Sequence, residues 1–412
     1  MSIDPSRAPR GPSPVPRRAL LAGSWLPFAA AAMAASPARE DLIANVEAIP
    51  VSLPYARTFV IARGQVAKGG STGQYVYVRV ETGGGRVGWG ETIALPTWSY
   101  ETVESICAVV RRNLAPIAKG RSPFDHAWFE KQFDNLLAPA VSNGFPFAKS
   151  AFLTAALDLA GQIAGQPMHR LLGGKIRDTV ELSFALSIDT PEGMARAATE
   201  TPALRCCKLK VSGDADLDAA RVKAVAAARP DLAIWLDANQ SYRPVHLESF
   251  LRAIRDVPQV KCLEQPVKSA DWMGLKRARD KTAIPLAIDE GCFSPADVAR
   301  VARLEAADLV VLKVAKSGGL WNCLRCAAIA DAHGLGLLGS GLTESGAGFT
   351  ATLHLYSTLD LLLPPELNGP HFLADMMVDG LVVKGNVATV PDAPGLGIRV
   401  KESELRRLAI KV

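Results

Sequence analysis

The segment RCCKLKVSG places two lysines, Lys208 and Lys210, one residue apart within an otherwise apolar run. If this run is a β-strand, the two side chains point to the same face and their ammonium groups repel each other. Taken alone, the segment fits the exposed face of a strand as well as it fits a site that uses one of the amines. The charged residues elsewhere in the chain decide between these interpretations.

Three carboxylates follow the lysine pair at intervals typical of one strand and one helix. They are Asp237 in LDAN, Glu264 in LEQP and Asp289 in IDEG, and they are separated by 27 and 25 residues. Carboxylate oxygens with no neighbouring histidine or thiolate favour Mg²⁺ over zinc, with Mn²⁺ as a substitute. We therefore expect these three side chains to form a metal site.

A further lysine, Lys313, ends the apolar segment LVVLK beyond the carboxylates. A metal ion and neighbouring ammonium groups destabilise a charged lysine, so we expect the pKa values of these lysines to fall toward the working pH. Lys208 would then lower the pKa of Lys210 and hold a substrate carboxylate, which leaves Lys210 as a usable base.

The segments that carry these residues alternate between strands and helices. Buried apolar strands separated by helices form parallel sheets, and seven or eight such units in about 200 residues fit a closed α/β barrel. The C-terminal strand ends of such a barrel meet at one mouth, so the charged residues would surround one site. The strand segments are VELSFALSI, CCKLKV, AIWLDAN, VKCLEQP, IPLAIDE, LVVLKVA and LGLLGSG.

The preceding part of the chain predicts a different, α+β unit. The segments YVYVRVET and VGWGE flank a glycine-rich turn and predict antiparallel strands, whereas the periodicity from Tyr100 to about Gly165 predicts helices. Residues 57–73 predict a mobile loop. We expect residues 41–175 to cap a barrel formed by residues 176–374, with residues 375–412 packing back on the cap.

Residues 1–40 have the layout of an export leader. Arg17 and Arg18 precede an alanine-rich apolar run that ends at Ala35, and the paired arginines indicate twin-arginine export to the periplasm. A retained membrane anchor is disfavoured because Pro27 interrupts a run that barely reaches spanning length. If the segment is instead a disordered extension or follows a wrongly assigned start codon, the protein is cytoplasmic.

Composition and cysteine usage exclude several classes of protein. The chain is 49% hydrophobic and 21% charged, and its net charge of +5 comes largely from the N-terminal arginines, so we expect no nucleic-acid partner. The seven cysteines are odd in number and lie mostly in apolar runs, which predicts buried thiols rather than a disulfide framework. Cys323 and Cys326 form a CxxC without a second pair at zinc-ligand spacing.

The ordered set of motifs resembles the enolase superfamily, specifically the muconate-lactonizing-enzyme subgroup of the mandelate racemase/muconate lactonizing enzyme family. The resemblance covers the chain from Ile43 onward and implies a modified TIM barrel of the (β/α)7β type with an α+β capping domain. It also implies a Mg²⁺-dependent isomerase that forms a homo-oligomer. The motifs are VGWGE, AALDLAGQIAGQPMHRLLGG, KLK, DAN, EQP, DE, LKVAKSGGL, GSGLTESGAG and ELNGPHFL.

The resemblance implies a role for each residue at a strand end. The three carboxylates would bind Mg²⁺, which would hold the substrate carboxylate, while Lys210 and Lys313 would flank its α-carbon from opposite faces. Lys313, rather than Lys316, is the matching lysine. Asn239 and Glu290 match positions that orient the ligands. The lack of a histidine-based pair at the sixth and seventh strands argues against the mandelate racemase subgroup.

The shared half-reaction would be removal of the proton α to a carboxylate, with the resulting enediolate stabilised by metal and ammonium. Reprotonation from the other face gives a racemase or epimerase, and protonation of an enol-lactone's enolate, in reverse, gives a cycloisomerase. Loss of a β-group gives a dehydratase. A non-catalytic exported binding protein would need no base on each face, and an aldolase would need a Schiff-base lysine and no metal trio, so both rank below an isomerase.

The eighth strand bears on the substrate. Many dipeptide epimerases of the subgroup carry Asp-x-Asp there, but this chain has ELNGP with Glu366 and Asn368, which argues against ordinary dipeptide epimerisation. Ser340, Thr343 and Glu344 are further candidates for binding a small polar or cationic carboxylate. We expect an imino acid or substituted amino acid, such as a proline derivative, with a hydroxyproline as the dehydratase's substrate.

Overall fold

The computed structural model of the chain describes residues 38–137, 143–201 and 203–412. The predicted leader lies almost entirely outside these ranges. No helix within them is long and apolar enough to cross a membrane.

An antiparallel sheet begins the described chain. β4 pairs with β1 on one side and with β5 on the other, while β2 and β3 form a separate hairpin. Buried side chains in β4 and β5 create the apolar face on which helices pack. The strands are β1 (Ile43–Pro54), β2 (Phe59–Ile61), β3 (Gly64–Ala67), β4 (Thr72–Thr82) and β5 (Val87–Ala94).

Five helices complete the cap. The longest, α4, is apolar around almost its whole circumference and is buried along most of its length, as expected for a helix enclosed on all sides. A π-helical segment, Val110–Leu114, joins α1 to α2. The helices are α1 (Val103–Val109), α2 (Ala115–Ala118), α3 (His126–Leu136), α4 (Pro146–Ala164) and α5 (Met168–Leu171).

Residues 57–73 were predicted to form a mobile loop, and this prediction is wrong. They contain the β2–β3 hairpin, in which Phe59 pairs with Ala67. The hairpin is fastened to the barrel because Val60 N donates to Ser187 Oγ at 2.8 Å, and its carbonyl accepts from Ile188 N at 3.1 Å. Fastened strands are ordered even where the sequence is rich in glycine.

Seven parallel strands, β7 to β13, follow in sequence order, and helices separate them. The strands are β6 (Thr179–Glu181), β7 (Phe184–Leu186), β8 (Cys206–Lys210), β9 (Ala233–Asp237), β10 (Val260–Glu264), β11 (Leu286–Ile288), β12 (Leu309–Leu312) and β13 (Gly336–Gly339). The helices are α6 (Pro191–Thr199), α7 (Ala215–Ala228), α8 (Pro244–Ile254), α9 (Trp272–Arg279), α10 (Pro295–Leu304), α11 (Val314–Ser317), α12 (Leu320–Ala332) and α13 (Gly346–Tyr356).

The barrel is closed by the segment around Glu366. This residue forms parallel bridges to Ser183 before β7 and to Ser340 after β13, so it occupies the position of an eighth strand. Seven strand–helix units and a closing strand make the (β/α)7β barrel that the sequence predicts, and that prediction is confirmed.

The C-terminal residues return to the cap. Beside β1, Ser52 N donates to Leu408 O at 3.1 Å, and Ile410 N donates to Pro50 O at 2.9 Å. The exact domain boundaries given above stay a prediction. The remaining elements are α14 (Gly369–Phe372), β14 (Val378–Asp379), β15 (Val383–Lys384), β16 (Val387–Thr389), β17 (Arg399–Val400) and α15 (Glu402–Arg407).

All seven cysteines are buried and carry free thiols, which confirms the prediction of buried thiols. Burial raises the pKa of Cys323 to about 11 and that of Cys292 to about 12. Thiols with such pKa values are protonated at neutral pH and make poor nucleophiles.

The contact between β5 and α4 requires glycine. A Cβ atom on Gly90 would lie 1.9 Å from the carbonyl oxygen of Ala151, so Gly90→Ala must push the helix away from the sheet. We expect this change to lower the free energy of unfolding by about 3 kcal/mol, measured by urea denaturation. Gly69→Ala is the control, because its Cβ would meet only ordinary contacts at 3.4 Å and beyond. Equal stability of the two variants would contradict this packing.

Candidate active site

Lys208 lies at the centre of a buried cluster of carboxylates. Its Nζ is 3.0 Å from Glu264 Oε1, 3.1 Å from Glu366 Oε2 and 3.2 Å from Asp237 Oδ2. The ammonium also lies 4.4 Å from the centre of the Trp235 ring. Burial alone would lower the pKa of Lys208, but the three carboxylates more than offset burial and hold it well above its ordinary value.

Lys210 lies on the same face of β8, nearer the mouth. It pairs in register with Asp237 on β9, and its Nζ donates to Asp237 Oδ2 at 2.5 Å. Burial would raise the pKa of Asp237, but the ammonium groups of Lys210 and Lys208 lower it to about 2. The ring centre of Phe59, from the β2–β3 hairpin, is 5.6 Å from Lys210 Nζ.

A second pair of ammonium groups surrounds Asp289. Lys313 Nζ donates to Asp289 Oδ2 at 2.5 Å, and Lys316 Nζ donates to Asp289 Oδ1 at 2.7 Å. These ammonium groups hold the pKa of Asp289 below its usual range in spite of its burial. The Trp98 ring centre lies 4.4 Å from Lys313 Nζ.

The expectation of lowered lysine pKa values is wrong for the arrangement in this structure. Burial would lower the pKa of Lys313, but Asp289 raises it, as the carboxylates raise that of Lys208. The expectation rested on the positive charge of a metal, whereas the charges that the structure places beside these lysines are carboxylates.

The three carboxylates fit a hard divalent cation in kind. Each is fully buried, and Glu264 Oε2 has no hydrogen-bond partner among the described residues. Burial and the neighbouring Asp237 raise the pKa of Glu264 well above its ordinary value, so a positive charge is missing beside it. Within the described ranges, however, no three acidic, histidine or cysteine side chains are already grouped as metal ligands. Ammonium groups engage oxygens of all three carboxylates instead.

Asn239 and Glu290 lie together beside this cluster. Asn239 Nδ2 donates to Glu290 Oε1 at 3.3 Å. The remaining oxygens, Asn239 Oδ1 and Glu290 Oε2, are buried and have no partner in the described part of the chain. These two oxygens are therefore free to accept hydrogen bonds from a ligand.

Glu366 is a counter-charge for a lysine rather than a free substrate ligand. Its Oε2 accepts from Lys208 Nζ and from Ser340 Oγ at 2.6 Å, and its Oε1 accepts from Asn368 Nδ2. Both oxygens are thus engaged. The structure brings Ser340 and Glu366 into the site, but their polar atoms bond to the protein.

Thr343 and Glu344 lie in the loop after β13, which the cap holds. The Thr343 carbonyl accepts from Tyr75 OH at 2.9 Å, and Glu344 Oε2 accepts from Leu342 N at 2.7 Å. Burial raises the pKa of Glu344 to about 7. The described contacts of both residues are with the loop and the cap rather than with the lysines.

Sequence reasoning missed three residues of the site: Phe59, Trp98 and Lys316. The two aromatic residues come from the cap, where no spacing rule connects them to the barrel. Lys316 lies three residues after Lys313, so both side chains share one side of the short α11 turn that follows β12. That spacing was a usable signal.

Lys210 and Lys313 come from opposite sides of the barrel. They follow the second and sixth barrel strands, β8 and β12, in a ring that the segment at Glu366 closes as an eighth. Four positions around an eight-membered ring are half its circumference. A molecule bound at the mouth between these lysines would meet an amine on each side.

Two family profiles match the chain. The profile described as Mandelate racemase / muconate lactonizing enzyme, N-terminal domain, matches residues 43–173, and Enolase C-terminal domain-like matches residues 193–404. The chain therefore belongs to the mandelate racemase/muconate lactonizing enzyme family of the enolase superfamily, in its muconate-lactonizing-enzyme-like subgroup. It is an enzyme of the isomerase class.

Characterised relatives are similar over nearly their whole length. The N-succinyl-L-Arg/Lys racemase of Bacillus cereus is 29% identical over 89% of this chain and 98% of its own, and its crystal structure superposes with a TM-score of 0.84, covering 90% of this chain and 98% of its own. Muconate cycloisomerase 1-2 of Acinetobacter lwoffii is 31% identical over 91% of this chain and 97% of its own.

A third relative was solved with a metal. The dipeptide epimerase of Enterococcus faecalis, complexed with Mg and the dipeptide L-Leu-L-Tyr, has a TM-score of 0.80 and 28% identity, covering 87% of this chain and 99% of its own. These relatives are epimerases, racemases and cycloisomerases. They do not support the dehydratase alternative over isomerisation.

The buried Glu344 makes stability depend on pH. Its pKa of about 7 in the folded protein lies above the ordinary value of 4.5, so the fold retains a proton that the unfolded chain releases. Raising the pH from about 5 to about 7 should therefore lower the free energy of unfolding, by on the order of 1–3 kcal/mol. Glu344→Gln keeps an acceptor for Leu342 N and should flatten this dependence.

The control is Glu200→Gln, which removes an exposed carboxylate. Denaturant unfolding curves across the pH range would make the comparison. If Glu344→Gln and Glu200→Gln leave the same pH slope, then Glu344 is not the group that titrates.

Proposed function

We propose that this isomerase removes and returns the proton α to a carboxylate through an enediolate, with Lys210 and Lys313 as the two acid–base groups. The observation that carries the proposal is the placement of these amines on opposite sides of one barrel mouth. Removal of a proton on one side and return on the other inverts a stereocentre. The proposed reaction is racemisation or epimerisation, with cycloisomerisation as the second candidate because muconate cycloisomerases are similar to this chain.

The residues around the lysines would prepare these amines for proton transfer. Lys208, fixed by three carboxylates, would place a permanent positive charge below the substrate carboxylate. Phe59 and Trp98 would shield Lys210 and Lys313 from water on the cap side. Excluding water strengthens the electrostatic stabilisation of developing negative charge.

We propose that Asp237, Glu264 and Asp289 hold Mg²⁺, with Mn²⁺ as a substitute. The donor chemistry, the unpartnered Glu264 oxygen and the magnesium of the Enterococcus faecalis relative support this assignment. Bound there, the ion would supply positive charge against which negative charge on the substrate carboxylate is stabilised. The carboxylates would then exchange ammonium partners for the ion, which would leave Lys210 and Lys313 free to act.

The substrate is proposed to be a small carboxylate derived from an amino acid. N-Succinyl amino acids and dipeptides are supported by the named relatives, and the eighth-strand sequence ELNGP favours an imino acid or substituted amino acid such as a proline derivative. Assembly into a homo-oligomer is also proposed, and size-exclusion chromatography with light scattering would test it.

Isotope exchange tests the two lysines separately. In D₂O the wild type should exchange the α-proton of both enantiomers of a substrate, which ¹H NMR follows in a panel of N-succinyl amino acids, dipeptides and proline derivatives. Lys210→Ala and Lys313→Ala should each abolish racemisation. Each variant should still exchange one enantiomer, and the two variants should retain opposite enantiomers.

Lys261→Ala is the matched control, because Lys261 is an exposed lysine of β10 that bonds only to Pro258 O among the described residues. It should leave both exchange rates unchanged. Persistence of exchange with both enantiomers in Lys313→Ala would rule out the two-base mechanism.

Metal binding is tested without a substrate. Mg²⁺ in a hundredfold excess over its Kd should stabilise the wild type by about 2.7 kcal/mol, seen as a rise in Tm. Glu264→Gln and Asp289→Asn should lose this rise. Asp308→Asn is the control, because Asp308 pairs with Arg279 at 2.7 Å away from the cluster. An undiminished rise in Glu264→Gln and Asp289→Asn would show that the ion binds elsewhere.

We also propose export to the periplasm by residues 1–40, supported by Arg17, Arg18 and the apolar run that follows them. A fusion of these residues to a reporter should reach the periplasm and lose the leader near Ala34 or Ala38. Replacing both arginines with lysine should block the export. A reporter that stays in the cytoplasm with its first residues intact would overturn the proposal.

A further inference from the structure

A buried carboxylate outside the lysine cluster gathers donors from several loops. Asp218, in the first turn of α7, is fully buried and accepts from the backbone N–H groups of Ser212 at 2.9 Å and Gly213 at 2.8 Å. Ser212 Oγ donates at 2.9 Å, Arg221 Nη1 at 2.8 Å and Tyr242 OH at 2.7 Å. A carboxylate this deeply buried is stable because nearly every lone pair has a donor.

These donors belong to the ends of three successive barrel strands. The two backbone N–H groups lie two and three residues beyond Lys210, so the carboxylate fixes the chain directly after this proposed base. Tyr242 lies on the loop that follows Asp237. Arg221 Nε donates to Asp189 O at 2.7 Å, in the loop after β7. One side chain thus ties together the loops on both sides of Lys210.

The opposite side of the mouth has separate support. The turn after Lys313 is held by the ion pair of Lys316 with Asp289 and by Asn143 Nδ2, which donates to Ser317 O at 2.9 Å. None of the bonds described for Asp218 reaches this turn. A change at Asp218 therefore acts on one side of the mouth.

We propose that Asp218 is a positioning residue for Lys210, which acts by locking the backbone that follows β8 against the loop that follows β9. The proposal rests on the proposed function in that Lys210 serves one of two faces. Asparagine cannot take its place, because its amide nitrogen would meet donors with another donor. Small misplacements of a reacting group cost large factors in rate.

Asp218→Asn should therefore change the two exchange reactions unequally. The enantiomer whose exchange depends on Lys210, identified as the one lost in Lys210→Ala, should exchange about ten- to a hundredfold more slowly relative to the other enantiomer. Tyr242→Phe removes one donor and keeps the ring stacked on Phe250, so it should give a smaller effect in the same direction. Asp308→Asn, which also loses a carboxylate bound to an arginine and a backbone N–H, should leave the ratio unchanged.

A second measurement needs no substrate. Amide hydrogen exchange read by mass spectrometry should become faster in Asp218→Asn for peptides covering residues 206–216, and remain unchanged for peptides covering residues 309–319. If the wild type exchanges only one enantiomer, the proposed function fails, and these amides still decide whether Asp218 holds the Lys210 loop.

Two results would overturn the inference. The first is a folded Asp218→Asn protein, or a Tyr242→Phe protein where the former does not fold, in which the amides of residues 206–216 keep wild-type protection. The second is faster amide exchange with an unchanged ratio between the enantiomers, because it would show that the network supports the fold without placing Lys210.

Discussion

The structure depends on mutual neutralisation of buried ammonium and carboxylate groups inside the barrel. A lone buried charge costs several kcal/mol, and removing one partner of a buried pair leaves that cost uncompensated. Lys208 meets three carboxylates, and Asp289 meets two lysines, so no member of the cluster is tolerable without the others. Such a set is stable only where parallel strands deliver every member to one mouth, and this requirement explains the register of the strand ends.

The cap completes what the barrel begins. Phe59 and Trp98 cover the outer sides of Lys210 and Lys313. Glu91 of β5 anchors the cap, because its carboxylate accepts from Ser345 N at 2.5 Å and Gly348 N at 2.9 Å at the start of α13. A carboxylate is favoured at a helix N-terminus, so the same contact stabilises the helix and seats the cap over the site.

Much of the barrel could be predicted because each strand ends on a charged residue at a regular interval. Lys210, Asp237 and Lys313 are visible in this way, since buried strands have few charges. The engagement of Glu366 by Lys208 could not be predicted, because it joins residues 158 apart through the closure of the barrel. The β2–β3 hairpin was hidden for a similar reason, since its order comes from bonds to Ser187 rather than from its own sequence. Local patterns reveal which residues face the mouth, whereas their partners depend on tertiary closure.

The central claim is that Lys210 and Lys313 address one carbon from opposite sides. A crystal structure of the protein with Mg²⁺ and an unreactive analogue of a substrate identified by isotope exchange would test it most directly. The account predicts that the two Nζ atoms lie on opposite faces of the α-carbon, within about 3–3.5 Å of it, and that both have left their carboxylates. Two ammonium groups on the same face, or a Lys313 still bound to Asp289 with the analogue in place, would contradict it.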